Sequence, residues 1–316
     1  MSSQAPLLGA MSLLLLAPAA SAQPRRRPRP TPARRAPAAP VAAPAAPSPV
    51  ASVAPAEGPD PFSDPAPEDA PPPPPPPAPA RPVALDLALG VQLTHRALRW
   101  NDDLFGELRP YTLALGPWIT LDARWFPAAH FTSGWPAQLG VYVGAGFAVG
   151  LSSSDSRGRS YDTSALDLRG GVRARVPLGP HALTFGAGVE LRRFTLSPPD
   201  DPNDPGVPGV SYLSATLDAD ARVRLSDRVA LLAGATAALP FALGDLADRL
   251  FPGATGAAVE LRGGAAWAFL PGFELRAIAS YRRYFLSMNP SPGDRWVAGG
   301  LVDEFASLGL SAAWRR

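Results

Sequence analysis

The chain has 316 residues with 41 Pro, 29 Gly and no Cys, and all 29 of its basic side chains are arginine. The lack of cysteine excludes disulfides, thiolate catalysis and cysteine-based metal sites. Net charge is +2, but from Val83 onward 22 Arg balance 22 acids, so the basic pI is no argument for nucleic-acid binding.

Residues 1–22 carry the apolar run "LLGAMSLLLLAPAASA", which ends in Ala20-Ser21-Ala22, a small-residue cleavage pattern. Pro18 and the short length argue against a spanning helix, which needs about 20 apolar residues. An export signal is expected, although its usual basic start is missing. No cysteine follows the cleavage site, so a lipoprotein anchor is ruled out. Residues 23–82 hold "RRRPRPTPARR", alanine-proline repeats, an acidic patch from Glu57 to Asp69 and the proline run Pro71 to Pro77. Proline lacks an amide donor and alanine offers little to bury, so no core can form here. A disordered or polyproline II periplasmic linker is expected. Its Arg25 to Arg35 segment is a candidate contact for lipid headgroups, cell-wall polymer or another anionic surface.

From Val83 to Arg316, apolar residues alternate with polar ones in ten runs. The predicted strands are 83–100, 111–126, 139–152, 165–177, 181–196, 212–225, 229–239, 257–269, 273–285 and 297–314. The stretch "FALGDLADRL" (Phe241 to Leu250) is the one connection that could form a helical turn. Compact turns such as "VPLGPHA", "LSDRV" and "FLPGFE" alternate with long polar connections. The connection Pro127 to Gln138 should be short and is not.

Each run has one apolar and one charged parity. In "VALDLALGVQLT" the first strand sets Val83, Leu85, Leu87, Leu89, Val91 and Leu93 against Asp86. Asp122 and Arg124 belong to the second run's polar parity, and Asp167, Arg169, Arg173 and Arg175 to the fourth's. Later runs contribute Glu190, Arg192, Asp218, Asp220, Arg222, Arg224, Glu260, Arg262, Glu274, Arg276 and Arg282. A soluble barrel would show these charges to water; a barrel in lipid would turn them inward.

Three features favour lipid outside. The apolar parity is mostly Ala and Leu at mid-strand. Glycines crowd the polar parity, leaving room for arginines in a narrow tube. Aromatics gather at the strand ends, as membrane girdles do. Trp125, Trp267, Phe269, Phe273 and Trp314 mark the short-turn rim; Trp100, Tyr111, Phe194, Tyr212, Tyr284 and Phe285 mark the other. The expectation is an all-β, antiparallel up-and-down transmembrane barrel of about ten strands, with 8–12 open. A soluble barrel or sandwich is the alternative.

Export signal, amphipathic strands and the aromatic-bearing last strand "FASLGLSAAWRR" together resemble the small outer-membrane β-barrel proteins of Gram-negative bacteria. The resemblance covers Val83 to Arg316 and is architectural. It implies an outer-membrane location, lipid contact and delivery by the barrel-assembly machinery through the last strand. There, Leu308, Leu310 and Trp314 fall at the family's parity, and Arg315 and Arg316 depart from it.

Ten-stranded barrels of this kind include proteases with paired acids and an Asp-x-His at the outer rim. Here Asp102-Asp103 has only His95 nearby, and no histidine follows an Asp-x. A Ser-His-acid set is not apparent either. The Asp200, Asp201 and Asp204 cluster reads as a solvated, proline-stiffened loop before it reads as a calcium site. No enzyme and no cofactor are expected. Ten arginines and eight carboxylates in a narrow tube should pair, which predicts a largely plugged lumen and a structural or surface-interaction role. A small or gated passive channel, slightly anion-favouring, is the alternative.

Overall fold

The computed structural model describes residues 82–154, 160–196 and 206–316. The export signal, nearly all of the linker and the Asp200 to Asp204 cluster lie outside the described residues. The strands are β1 (Leu85–Asn101), β2 (Tyr111–Trp125), β3 (Leu139–Ala148), β4 (Ser152–Ser154), β5 (Ser160–Leu178) and β6 (His181–Leu196). They continue as β7 (Val210–Arg224), β8 (Val229–Ala242), β9 (Thr255–Leu270), β10 (Phe273–Ser287) and β11 (Gly300–Arg315).

Every long strand pairs antiparallel with its sequence neighbours, β3 pairs with β5, and β1 pairs with β11 to close the ring. The three-residue β4 only extends the start of β5 as a hairpin. The wall therefore has ten strands closed into a ring, so that each long strand has a partner on both sides.

Alternation decides what the wall shows. On β1, Leu89 and Val91 are each 61% exposed, and so is Leu310 beside them on β11. The belt continues through Ile119, Leu121, Val143, Val172, Val189, Leu217, Leu231 and Leu261 on the other strands. An apolar belt of that extent is untenable in water and required in lipid. The outward apolar run on β1, Leu85 to Leu93, spans nine residues, close to the 9–11 that a tilted strand needs to cross the hydrocarbon. Above it the outward positions become His95, Ala97 and Arg99, so the strand rises beyond the apolar belt toward the longer loops.

One irregularity matters for the interior. Between Thr94 and Arg96 of β1 the register with β2 slips by a residue. This bulge turns Trp118, Asp122 and Arg124 inward at even positions, and Leu113 and Tyr111 inward at odd ones. The predicted short turns are present at Gly179 and Gly272, both in the left-handed region that favours glycine (φ +62° and +77°). The long β2–β3 connection instead folds into two 3-10 turns, Pro127–His130 and Trp135–Gln138. Their Ala129 and Ala137 pack with Phe126 and Ala84 against the short-turn rim.

The lipid-facing placement makes a direct prediction. Leu310→Arg, at the middle of the belt, should cost about 2–4 kcal/mol, and Phe273→Arg at the rim about 0–1 kcal/mol. Reversible denaturant unfolding in lipid or detergent reads the difference, and equal costs would contradict an outward Leu310.

Candidate functional site in the barrel interior

The interior is layered along the barrel axis. Nearest the short-turn rim, Arg276 forks onto Asp86, Nη1 to Oδ1 at 2.9 Å and Nη2 to Oδ2 at 2.8 Å. Arg315 approaches the same carboxylate at 3.5 Å. Glu274 collects Arg222, Arg276 and Arg315, at 2.5, 3.1 and 2.8 Å. Arg175 donates to Gln138 Oε1 and to the carbonyls of Val83 and Ala137, with its guanidinium 4.2 Å from the centre of the Phe126 ring.

The next layer joins β2, β5, β6, β7, β9 and β10. Arg173 bridges Asp218 (2.6 Å) and Asp220 (3.0 Å), and Arg262 bridges Asp220 (2.6 Å) and Glu260 (3.1 Å). Arg169 holds Asp122, and Arg192 holds Asp167. Arg282 spans from β10 to Glu190 on β6 and also reaches Glu260 at 2.7 Å. Such forked, charge-assisted bonds carry geometry as well as energy. Gly144 makes room for one of them, since a Cβ there would sit 2.6 Å from Arg169 Nε.

Above this the chemistry changes. Arg282 donates to the Tyr284 hydroxyl at 3.1 Å, and the Tyr284 ring stacks on Tyr212 at 4.0 Å between centroids. The Tyr212 hydroxyl donates to Asp303 Oδ2 at 2.8 Å. Arg96 forks onto that carboxylate at 2.9 and 2.8 Å and lies 4.2 Å from the Phe194 ring centre. Both side chains of the Arg96–Asp303 pair are 0% exposed. Beyond the pair is a dry plug that includes Leu98, Leu113, Met288 and Leu301, and from the loops Val207, Leu243, Leu246, Leu250, Phe251 and Trp296, while Phe305 packs on its lower side over Arg192. The helical turn Leu246–Leu250 contributes Leu246 and Leu250 to this stopper.

Several expectations need correction. Trp100, Tyr111, Phe194, Tyr212 and Tyr284 do not belong to an outward girdle. Tyr111, Phe194, Tyr212 and Tyr284 are buried in the stopper, and Trp100 is partly buried against it. Trp100, Phe194, Tyr212 and Tyr284 share the parity of Asp86, Arg192, Asp218 and Arg282, and Tyr111 is carried inward by the β2 bulge. Trp125, Trp267, Phe269, Phe273 and Phe285 are exposed on the outer wall, and Trp314 is half-buried there. Arg224 is not a lumen residue: it binds Asp227 in the β7–β8 turn, because the strand ends there. Arg96, Asp303 and Arg315 were missed as lumen charges, although their parity is inward. His95 bonds the Ala114 carbonyl at 3.1 Å, while Asp103 accepts the backbone N–H groups of Phe105, Gly106 and Leu108. The structure shows no bond between that histidine and those acids.

The buried pair generates a test. Asp303→Ala should destabilise the barrel by about 3–5 kcal/mol, because it strands the Arg96 charge and leaves the Tyr212 hydroxyl without its acceptor. Arg96→Met combined with Asp303→Leu should recover much of that loss in the same unfolding measurement.

A closed, even-stranded barrel with an apolar outer wall, short turns at one rim and longer loops at the other is the outer-membrane architecture of Gram-negative bacteria. The chain has the fold of an outer-membrane β-barrel. No family model matches the sequence, and no curated protein matches it. Among solved structures it is similar to the outer membrane protease OmpT from Escherichia coli, at 10% identity over 74% of this chain and 96% of that one, TM-score 0.42. It is also similar to the COG4313 outer membrane channel from Pseudomonas putida F1, at 14% identity over 75% and 97%, TM-score 0.40. A third is the translocator domain of the autotransporter NalP from Neisseria meningitidis, at 13% identity over 74% and 88%, TM-score 0.38.

Proposed function

We propose that the protein is a closed barrel with a structural or surface-interaction role, not a general porin. The stopper carries this reading. Leu98, Leu246, Met288 and Leu301 are each 0% exposed inside the tube, and permeation needs water along the axis that an apolar constriction excludes. The lower charges reinforce the closure by tying strands across the lumen. In this reading residues 23–82 form a periplasmic tether, with Arg25 to Arg35 free to touch cell-wall polymer or lipid headgroups. The last strand, ending in Trp314, is the segment offered to the barrel-assembly machinery.

In planar bilayers the wild-type protein should show no large, steady conductance; large open channels would overturn the proposal. A second reading, a small gated channel favouring anions, draws support from two arginine-lined chambers of about 170 and 130 Å³ beneath the stopper. Leu246→Ala with Phe251→Ala thins the stopper and should yield brief, anion-favouring openings absent from the wild type. Spontaneous gating of the wild-type protein under voltage would favour the second reading instead.

A further inference from the structure

Two lumen guanidiniums have no carboxylate. Among the described residues Arg124 makes no hydrogen bond or ion pair within 4 Å. Its cross-strand neighbour Asp86 gives both oxygens to Arg276. Asp122, two residues away on the same face, is held by Arg169. Arg175 has only neutral acceptors, Gln138 Oε1 and two backbone carbonyls. Both arginines line one chamber of about 130 Å³, and Arg124 also lines the chamber of about 170 Å³.

Seven arginines line the chamber against two carboxylates, Asp86 and Asp220, and each of those is already bonded to another arginine, so the lining keeps a surplus of positive charge. Inside a tube walled by protein and lipid, an uncompensated guanidinium is costly, and an anion of matching shape removes the cost. The guanidinium fork suits phosphate and carboxylate oxygens. Protein cavities of roughly 150 Å³ hold molecules the size of benzene, so a small oxyanion fits. Arg315 and Val83, at the short-turn rim where β11 ends and β1 begins, line the same chamber and mark its mouth. The dry stopper lies at the opposite end of the lumen.

We propose that this chamber is a binding site for a small oxyanion, bearing phosphate, sulfate or carboxylate groups, with Arg124 as its main ligand and Arg175 beside it. The anion enters from the short-turn rim, which faces the periplasm in this architecture. The site is a blind pocket and stands whether or not the barrel conducts.

The probe is inorganic phosphate, titrated by calorimetry into the full chain folded in detergent micelles, against chloride at equal ionic strength. Phosphate should bind saturably at one site. Arg124→Gln should weaken binding at least about tenfold, while Arg224→Gln, in the β7–β8 turn, should leave it unchanged. Heat-modifiable gel mobility verifies that each variant is folded. Phosphate binding no better than chloride, or equal weakening by the two variants, would overturn the site. If Arg124→Gln cannot be recovered folded, the wild-type unfolding midpoint decides. A higher midpoint in phosphate than in chloride supports the pocket, and equal midpoints refute it.

Discussion

A closed strand ladder in lipid leaves a guanidinium one direction to face and one class of partner to find. The outward side is hydrocarbon, where a charge at mid-depth is costly. The inward side is a narrow tube whose width is set by ten strands. Each arginine turned inward must therefore meet a carboxylate, a neutral oxygen acceptor, water or another anion within that tube. Some pairs join adjacent strands, as Arg192 does with Asp167 and Arg315 with Glu274, but others skip one or more strands. Arg276 on β10 reaches Asp86 on β1, Arg222 on β7 reaches Glu274 on β10, and Arg282 on β10 reaches Glu190 on β6. These are struts across the lumen, which supply the transverse ties that backbone ladders cannot.

The same constraint divides the tube into two media. Near the short-turn rim the lining is charged and encloses chambers, whereas near the long loops it is aromatic and aliphatic and fully packed. Tyr284 and Tyr212 make the transition. Their rings stack and belong to the apolar side, while their hydroxyls bond Arg282 and Asp303. Arg96 and Asp303 sit inside the apolar layer as a matched pair, with Arg96 covered by the Phe194 ring. A fork-to-carboxylate match with aromatic cover lets an ion pair persist where water is absent.

Strand number, closure and wall polarity were legible because side-chain parity in a strand has a period of two, and each of ten runs repeats the same split. The interior was legible by the same rule wherever parity was followed to the strand ends. Arg96, Asp303 and Arg315 lie on the inward parity and could have been placed from the sequence. For four of the five inward aromatics the two signals conflict: nearness to a rim points to a girdle, and parity points into the lumen. Only Tyr111 was beyond that rule, since a bulge leaves no mark in "YTLALGPW" that separates it from a regular strand. The part of the stopper that comes from the connections was not legible. Leu243, Leu246, Leu250, Phe251, Met288 and Trp296 stand in connections with no sustained period, and only tertiary packing reveals that they turn into the tube.

That inward turn bears on what the long-loop rim presents. Loops rich in leucine and aromatics would ordinarily be adhesive, but here most of those side chains are spent inside the lumen. An exception is the first long loop, where Leu104 and Phe105 are 69% and 56% exposed. Asp103 curls that loop about its carboxylate by accepting three of its backbone N–H groups, and Asp102 adopts a left-handed conformation at its start (φ +51°). Two apolar side chains on a loop pinned by its own acid form a pre-ordered finger, which spares a partner part of the entropy of ordering it. The acids beside them, Asp102 and Asp103, act as scaffold for that finger.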